Sequence, residues 1–152
     1  MTTTITASTL TVKITESVSL NGKDQGGTNS VSIASIATVN KRIVNIPTGG
    51  ATIWESHASA ISEGTFVYGD VRYLRITNKD DTNYCTLRMT GGGSADICVR
   101  LDPGASPVFI SSRSEGFDDL IDSAGVDIDA MTAIVAAANS AAVDLEMFTA
   151  SA

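Results

Sequence analysis

The sequence has 152 residues, of which 43% are apolar and 18% are charged. This length and composition indicate a single globular domain with a substantial core and exclude a disordered chain. The formal net charge is −7, and the ten Lys and Arg residues form no basic stripe, which argues against direct binding of nucleic acid. The opening MTTTITASTL lacks the basic and apolar parts of a signal peptide, and no apolar run approaches roughly 18 residues, so neither a signal peptide nor a membrane span is expected.

The abundance of small neutral residues predicts a surface that a partner protein can cover. Thr, Ser, Ala and Gly occupy many positions where Lys and Glu are usual, and such a surface loses little solvation when it is buried. A neutral exterior that faces only water is the alternative. Residues 114–152 carry eight acids and no base, which suits a neutral or basic partner, or solvent.

The N-terminal third of the chain predicts β-strands. LTVKIT at 10–15 places apolar residues at every second position, which is the strand period, and further strands are expected at 31–33 and 41–46. NGKDQGGTN at 21–29 predicts a loop, because it is rich in Gly, Asn and Asp. Residues 1–9 are either an arm that adds a strand to a partner or a free terminus, and residues 10–152 are expected to form one β-sandwich domain.

The middle of the chain predicts a succession of short strands separated by Gly, Pro and Asp turns. These strands are expected at 52–54, 66–68, 70–77, 84–89, 97–101 and 107–110. Bulky residues on both faces of 70–77 predict a central strand. In 97–101, alternation places Val99 and Leu101 toward the core and Arg100 outward, so Val99→Asp is expected to be strongly destabilising.

The C-terminal segment allows two interpretations. DAMTAIVAAANS at 129–140 has helical spacing with Asp129 as a cap, whereas its β-branched residues and the alternating VDLEMF at 143–148 favour a hairpin. We favour the hairpin, with one short helix near 129–138 as the alternative. About ten short strands with turns every eight to twelve residues or so predict an all-β fold, a single antiparallel β-sandwich of jelly-roll type.

The acidic loop TNKDDTNY at 77–84 raises the question of a binding site. Asp81 and Asn83 have the spacing of two calcium ligands, and Asp80 adds another oxygen. An EF-hand loop needs more ligands over about twelve residues and a terminal Glu. Asn and Asp are also turn formers whose side chains bond to nearby backbone. We therefore predict a tight turn, and no effect of calcium on stability.

The other reactive residues form no recognisable catalytic pattern. His57 is the only histidine, whereas zinc sites built on imidazole need several, and no G-x-S-x-G motif frames a serine. TGGGSAD at 90–96 lacks the Lys and the helix of a phosphate loop and predicts a flexible hairpin tip. Cys85 and Cys98 could meet across a hairpin, but we favour free thiols because nothing indicates an oxidising compartment. We predict no enzymatic activity and no catalytic, cofactor-binding or metal-binding residue.

Three large side chains have structural interpretations. Trp54 is expected to be a core or interface anchor, because its burial removes a large apolar area from water. Arg72 and Arg75 are expected to pair with acids on neighbouring strands.

Three stretches of the chain resemble small virion proteins of tailed bacteriophages, especially phages of marine bacteria. These are LTVKITESVSLNG at 10–22, VRYLRITNKDDTNY at 71–84 and ICVRLDPGASPVFI at 97–110. In that family a strand ends in an Arg-Ile-Thr-Asn turn with acidic residues, a second strand ends in a Leu-x-Pro-Gly turn, and an apolar strand follows. Cys85, Cys98 and the GGG at 91–93 have no counterpart in the pattern.

The resemblance implies a non-enzymatic β-sandwich subunit of the virion, without a cofactor. The role it implies first is that of a capsid decoration (cement) protein, which stabilises the capsid lattice by contacts with the major capsid protein or another virion protein. The alternatives are a neck, tail or fibre component, and a carbohydrate- or surface-binding module, although only eight aromatic residues are present to form sugar platforms. We expect a homo-oligomer or a lattice-bound subunit, with no membrane or nucleic-acid contact, held by apolar and neutral contacts that survive high salt.

Overall fold

The computed structural model describes residues 4–62, 64–92, 96–121 and 129–152. The strands in these ranges are β1 (Ser8–Glu16), β2 (Ser19–Leu20), β3 (Lys23–Asp24), β4 (Gly27–Ile36), β5 (Thr38–Ile46), β6 (Ala51–His57), β7 (Phe66–Val67), β8 (Val71–Asn78), β9 (Cys85–Gly91), β10 (Asp96–Leu101), β11 (Val108–Ile110), β12 (Met131–Ala138) and β13 (Val143–Ser151). The same ranges contain no helix that could cross a membrane.

Two sheets form the body of the protein. One has five strands in the order β10-β9-β12-β6-β7, and the other has four in the order β11-β8-β13-β5. Their strands pair antiparallel, except for a two-residue parallel pairing of β6 with β7. The prediction of an all-β, sandwich-like fold is confirmed.

The main core lies between the two sheets. Leu74, Ile76 and Leu145 from the four-stranded sheet are fully buried with Leu87 and Ile134 from the five-stranded sheet. Each such side chain contributes about 1.5–3 kcal/mol by leaving water. The alternation of apolar residues along each strand therefore fixes which face turns inward.

β8 is a central strand, as its bulky residues on both faces predict. It lies between β11 and β13. Leu74 and Ile76 enter the core between the sheets, whereas Tyr73 belongs to a second buried cluster on the outer face. β8 therefore packs against a buried apolar cluster on each of the two faces of its sheet.

The C-terminal segment forms two strands, and the alternative of a helix near 129–138 is wrong. The two strands do not make a hairpin with each other, because β12 lies in the five-stranded sheet and β13 in the four-stranded sheet. Each already has two neighbours, β9 and β6 for the first, and β8 and β5 for the second. The chain between them, residues 139–142, therefore crosses from one sheet to the other.

The predicted loop at 21–29 is mostly strand. Asn21 and Gly22 turn the chain, with φ of 52° and 74°, β3 follows directly, and β4 begins after Gln25 and Gly26. Asn-Gly is the sequence that best tolerates positive φ at both central positions of a two-residue hairpin turn. The many Gly, Asn and Asp residues after it do not prevent strand pairing.

Val99 is more exposed than its alternation predicts. It lies opposite Leu87, which is fully buried, so it is on the core side of its sheet. β10 is however the outermost strand, and Val99 remains 37% exposed, while Leu101 is 2% exposed. The expectation that Val99 is a core residue is wrong, because the opposite sheet does not cover this edge.

Some sequence predictions fall partly outside the described residues. In the predicted arm at 1–9, residues 4–7 precede β1 and are exposed, Ser8 begins that strand, and residues 1–3 lie outside. In the predicted hairpin tip at 90–96, Gly91 ends β9 and Asp96 begins β10, and residues 93–95 lie outside. The acidic segment at 114–152 is described except for 122–128.

Candidate functional site

The acidic loop between β8 and β9 is a turn held by its own side chains. Oδ1 of Asp80 accepts hydrogen bonds from the backbone N–H groups of Asn83 (2.6 Å) and Thr82 (2.8 Å). These donors hold the pKa of Asp80 below its ordinary value, because they stabilise the carboxylate. Asp80 is thus a turn former, as predicted, whereas Asp81 accepts only from the hydroxyl of Thr82.

A buried asparagine anchors this loop to the body. Asn78 is completely buried, and its Nδ2 donates to the carbonyl groups of Asn83 (2.9 Å) and Leu101 (3.2 Å). Its Oδ1 accepts from the backbone N–H of Asp80 (2.9 Å). All three contacts serve backbone groups, so this asparagine has a structural role at the end of the sandwich.

The two cysteines lie on paired strands and are not bonded to each other, as expected. Cys85 is buried and faces Leu101, whereas Cys98 is exposed and faces Arg88. Burial raises the pKa of the Cys85 thiol to about 11, so this thiol stays protonated at neutral pH. Among the described residues, no three His, Cys, Asp or Glu side chains come together as a metal site would require.

The two arginines of β8 differ in their partners. Arg75 pairs with Glu146 on β13 (2.6 Å), and Lys41 on β5 approaches the same carboxylate (3.4 Å). Hydrogen bonding from Arg75, and then from Lys41, lowers the pKa of Glu146. For Arg72 the expected pairing with an acid is wrong, because its guanidinium donates to the carbonyl groups of Gly69 (2.6 Å) and Ser114 (2.8 Å).

Trp54 is a core residue. It is 1% exposed, it stacks on Phe66 with ring centroids 5.6 Å apart, and it also contacts Phe117. The interpretation as a core anchor is confirmed. A Trp buried in this way cannot serve as an exposed binding platform.

The feature with the clearest potential for binding is a long β-hairpin formed by residues 8–36. We call this hairpin the arm from here on, in distinction from the N-terminal segment predicted at 1–9. β1 and β4 pair antiparallel over nearly their whole length, and β2 and β3 extend the hairpin to its turn. Directly paired residues share a face of a two-stranded sheet. One face therefore carries Leu10 with Ile33 and Val12 with Val31, and the opposite face carries the pairs Thr11–Ser32, Lys13–Ser30 and Thr15–Thr28.

The proximal half of the arm packs on the body. Leu10, Val12 and Val31 join the buried Ile33 and Ile36 over the outer face of the four-stranded sheet. The sheet contributes Tyr73, Phe148, Ala150, Val108 and Ile110 to this second core, and Tyr73 packs edge-on against Phe148. The arm is thus anchored at its base by apolar burial.

The distal half of the arm is exposed. From Ile14 to Asn29 every residue is exposed except Gly26, which is partly buried. Ile14, Val18 and Leu20 are 41%, 45% and 60% exposed. Apolar residues this exposed, at the end of a strand that is otherwise Thr- and Ser-rich, are typical of a surface that a partner covers.

A second exposed apolar surface lies on β5. This strand ends the order of its sheet, so one of its edges has no neighbouring strand among the residues that the structure describes. Val39 is 54% exposed and Ile43 is 64% exposed on its outer side. Next to β5 are two open depressions of about 330 and 320 Å³, which share Gly64 and Thr65. A long exposed edge with apolar side chains is a ready template for strand addition.

The sequence contained a signal for the arm that the loop interpretation missed. Asn21-Gly22 lies between alternating apolar residues on one side and a strand on the other, which is the strongest short-range indication of a hairpin. The exposure of Ile14, Val18 and Leu20 has no such signal, because alternation alone does not show whether a face is covered.

Comparisons with known proteins give no family assignment. A scan against protein-family models, a search of curated proteins and a search of solved structures each found no significant match to the chain.

Proposed function

We propose that this chain is a non-enzymatic structural subunit of a bacteriophage virion, most simply a capsid decoration protein. The observation that carries an assembly role is the arm, which is anchored by its proximal half and presents Ile14, Val18 and Leu20 to solvent. The virion, and the capsid in preference to the neck, tail or fibre, enter the proposal through the sequence resemblance.

The physical chemistry of the exposed surfaces supports this role. The arm has no net charge, because Lys13 and Lys23 balance Glu16 and Asp24, and most of its other residues are Thr, Ser and apolar side chains. Covering such a surface removes few charges from water, so burial of the apolar groups is not offset by a large desolvation cost. A subunit that holds a lattice together needs rigid, easily dehydrated surfaces of this kind.

The proposal is tested on native particles. Virions purified from infected host cells are washed at about 1 M salt, where the Debye length is roughly 3 Å, and the retained copies of the chain are counted by mass spectrometry. Retention, together with density for the chain in an electron-microscopy map of the capsid, supports the proposal. Absence of the chain from purified particles overturns it.

A pair of variants separates the arm from the rest of the surface. Ile14→Asp and Thr15→Asp add the same charge at adjacent exposed positions on opposite faces of the arm. We expect the first variant to reduce the number of copies on the particle and the second to leave it unchanged. Equal occupancy for both variants would show that the apolar face of the arm is not used.

A further inference from the structure

The distal arm and β5 both expose apolar side chains. Within a single chain, the apolar face of the proximal arm already packs on the outer face of the four-stranded sheet. The distal arm continues the apolar face of the proximal arm, but its residues are exposed. Val39 and Ile43 lie on the same outer face of the four-stranded sheet and are exposed as well. Each surface thus presents exposed apolar side chains that a neighbouring strand of the same sheet would flank.

The two surfaces match in length and in backbone chemistry. The seven residues from 14 to 20, which join the end of β1 to β2 through Ser17 and Val18, extend about 24 Å at roughly 3.4 Å per residue. The nine residues of β5 extend about 31 Å, so the segment is long enough to follow most of that strand. Within the described ranges, β1 pairs with β4 alone and β5 with β13 alone, so each has an edge without a neighbouring strand. Strand addition would satisfy backbone groups along both edges.

The charges also match. Residues 14–20 contain one charged residue, Glu16, which is exposed. β5 contains Lys41 and Arg42 and no acid, in a chain whose net charge is −7. Arg42 is half-buried and donates to the carbonyl oxygen of Ile53, so Lys41 is the base that faces outward. The side chain of Lys41 is 59% exposed. In comparison, β10, the outer strand of the other sheet, has one acid and one base. Lys41, on the outer side of β5, is thus the base that a second copy's Glu16 could approach, next to the Glu146 that it already contacts.

We propose that the distal arm of one copy, residues 14–20, adds as a strand to β5 of a second copy of this chain. In that arrangement Ile14, Val18 and Leu20 lie beside Val39 and Ile43, because neighbouring strands of one sheet place their side chains about 4.5–5.5 Å apart. The inference rests on the proposed assembly role and names the partner of the arm. Since arm and edge are different surfaces, the contact forms a reciprocal pair, a ring or an open chain, according to the rotation between copies.

The test uses the purified full-length chain without particles. Size-exclusion chromatography with light scattering at about 0.15 M and about 1 M salt is expected to give an oligomer of the 15.7 kDa chain at both concentrations. Leu20→Asp and Ile43→Asp are each expected to raise the dissociation constant by at least about tenfold. Ser32→Asp, at an exposed position on the other face and the other strand of the arm, and Thr86→Asp on the other sheet serve as controls and should leave it unchanged.

Mixing the two defective variants identifies the contact. The Ile43→Asp chain has an intact arm and the Leu20→Asp chain has an intact β5, so an equimolar mixture should recover association that neither variant shows alone. Unchanged circular dichroism and melting temperature would confirm that each variant folds. A monomeric parent chain, an oligomer that Ile43→Asp leaves intact, or no recovery in the mixture overturns the inference. The assembly role is judged separately, by retention on particles.

Discussion

Gly116 is a residue that the surrounding backbone leaves without room for a side chain. Its φ is 58°, and a Cβ atom there would lie 2.4 Å from Nη1 of Arg72 and 2.6 Å from the carbonyl oxygen of Val71. The guanidinium of Arg72 is itself held by two carbonyl groups. We therefore expect Gly116→Ala to lower the free energy of unfolding by about 2–4 kcal/mol, measured by urea denaturation.

Gly104 provides the matched control for this substitution. It also has a positive φ, 73°, but no atom lies within 4 Å of the Cβ position. Gly104→Ala should therefore lower the free energy of unfolding by only about 1–2 kcal/mol, which is the cost of the left-handed conformation for a residue with a Cβ atom. Equal losses for the two variants would show that steric crowding at Gly116 contributes nothing.

Asp80 makes the stability of the chain depend on pH. Backbone N–H groups lower its pKa in the folded state. Its stabilising contribution is therefore present above the pKa of the unfolded chain, about 3.9, and is lost as pH falls through the folded pKa. We expect Asp80→Ala to melt at a lower temperature than the parent at about pH 6, and the difference to shrink by about pH 2.5.

Asp80→Asn separates the charge from the turn. Its amide oxygen can still accept the two hydrogen bonds, so it should melt between the parent and Asp80→Ala near neutral pH. It cannot titrate, so its difference from Asp80→Ala should not change on acidification. A difference between parent and Asp80→Ala that is constant with pH would contradict the assignment.

At the scale of a single strand, β10 shows how position in a sheet changes the cost of one substitution. Val99 and Leu101 are on the same face, but the first is 37% exposed and the second is 2% exposed. We expect Val99→Asp to lower the free energy of unfolding by less than about 1 kcal/mol and Leu101→Asp by more than about 3 kcal/mol. Similar values in chemical denaturation would show that the opposite sheet covers β10.

The positions of the strands can be predicted from local sequence pattern. Whether another sheet packs on a strand and buries its side chains cannot. Period-two alternation located β1 and β10, because a half-buried strand must separate apolar from polar residues. β8 was located by its β-branched and aromatic residues on both faces. The same alternation did not distinguish Leu101 from Val99, since exposure depends on whether another sheet lies opposite. Turn chemistry was present in the sequence at Asn21-Gly22, but the Gly- and Asp-rich residues after it resembled a loop.

At the scale of the whole molecule, strand partners could not be read from the sequence. The turn between β12 and β13 has the length of a hairpin, yet it connects the two sheets. Each of these strands completes a sheet with strands that are distant in sequence, and this long-range pairing has no local signal. The position of β5 at the end of its sheet follows from that same arrangement, so its exposed apolar residues were equally hidden, whereas the arm had a local signal at Asn21-Gly22.

The division of the arm into an anchored and an exposed half leads to a last prediction. A chain in which residues 14–29 are replaced by Asn-Gly keeps the pair Lys13–Ser30 and all of the apolar contacts with the body. Because the removed residues bury almost nothing, its melting temperature by circular dichroism should stay within about 4 °C of the parent. Its self-association in light scattering should be lost. If melting fell by more than about 10 °C, the distal arm would be part of the folding core, and its exposed apolar residues would no longer argue for a partner.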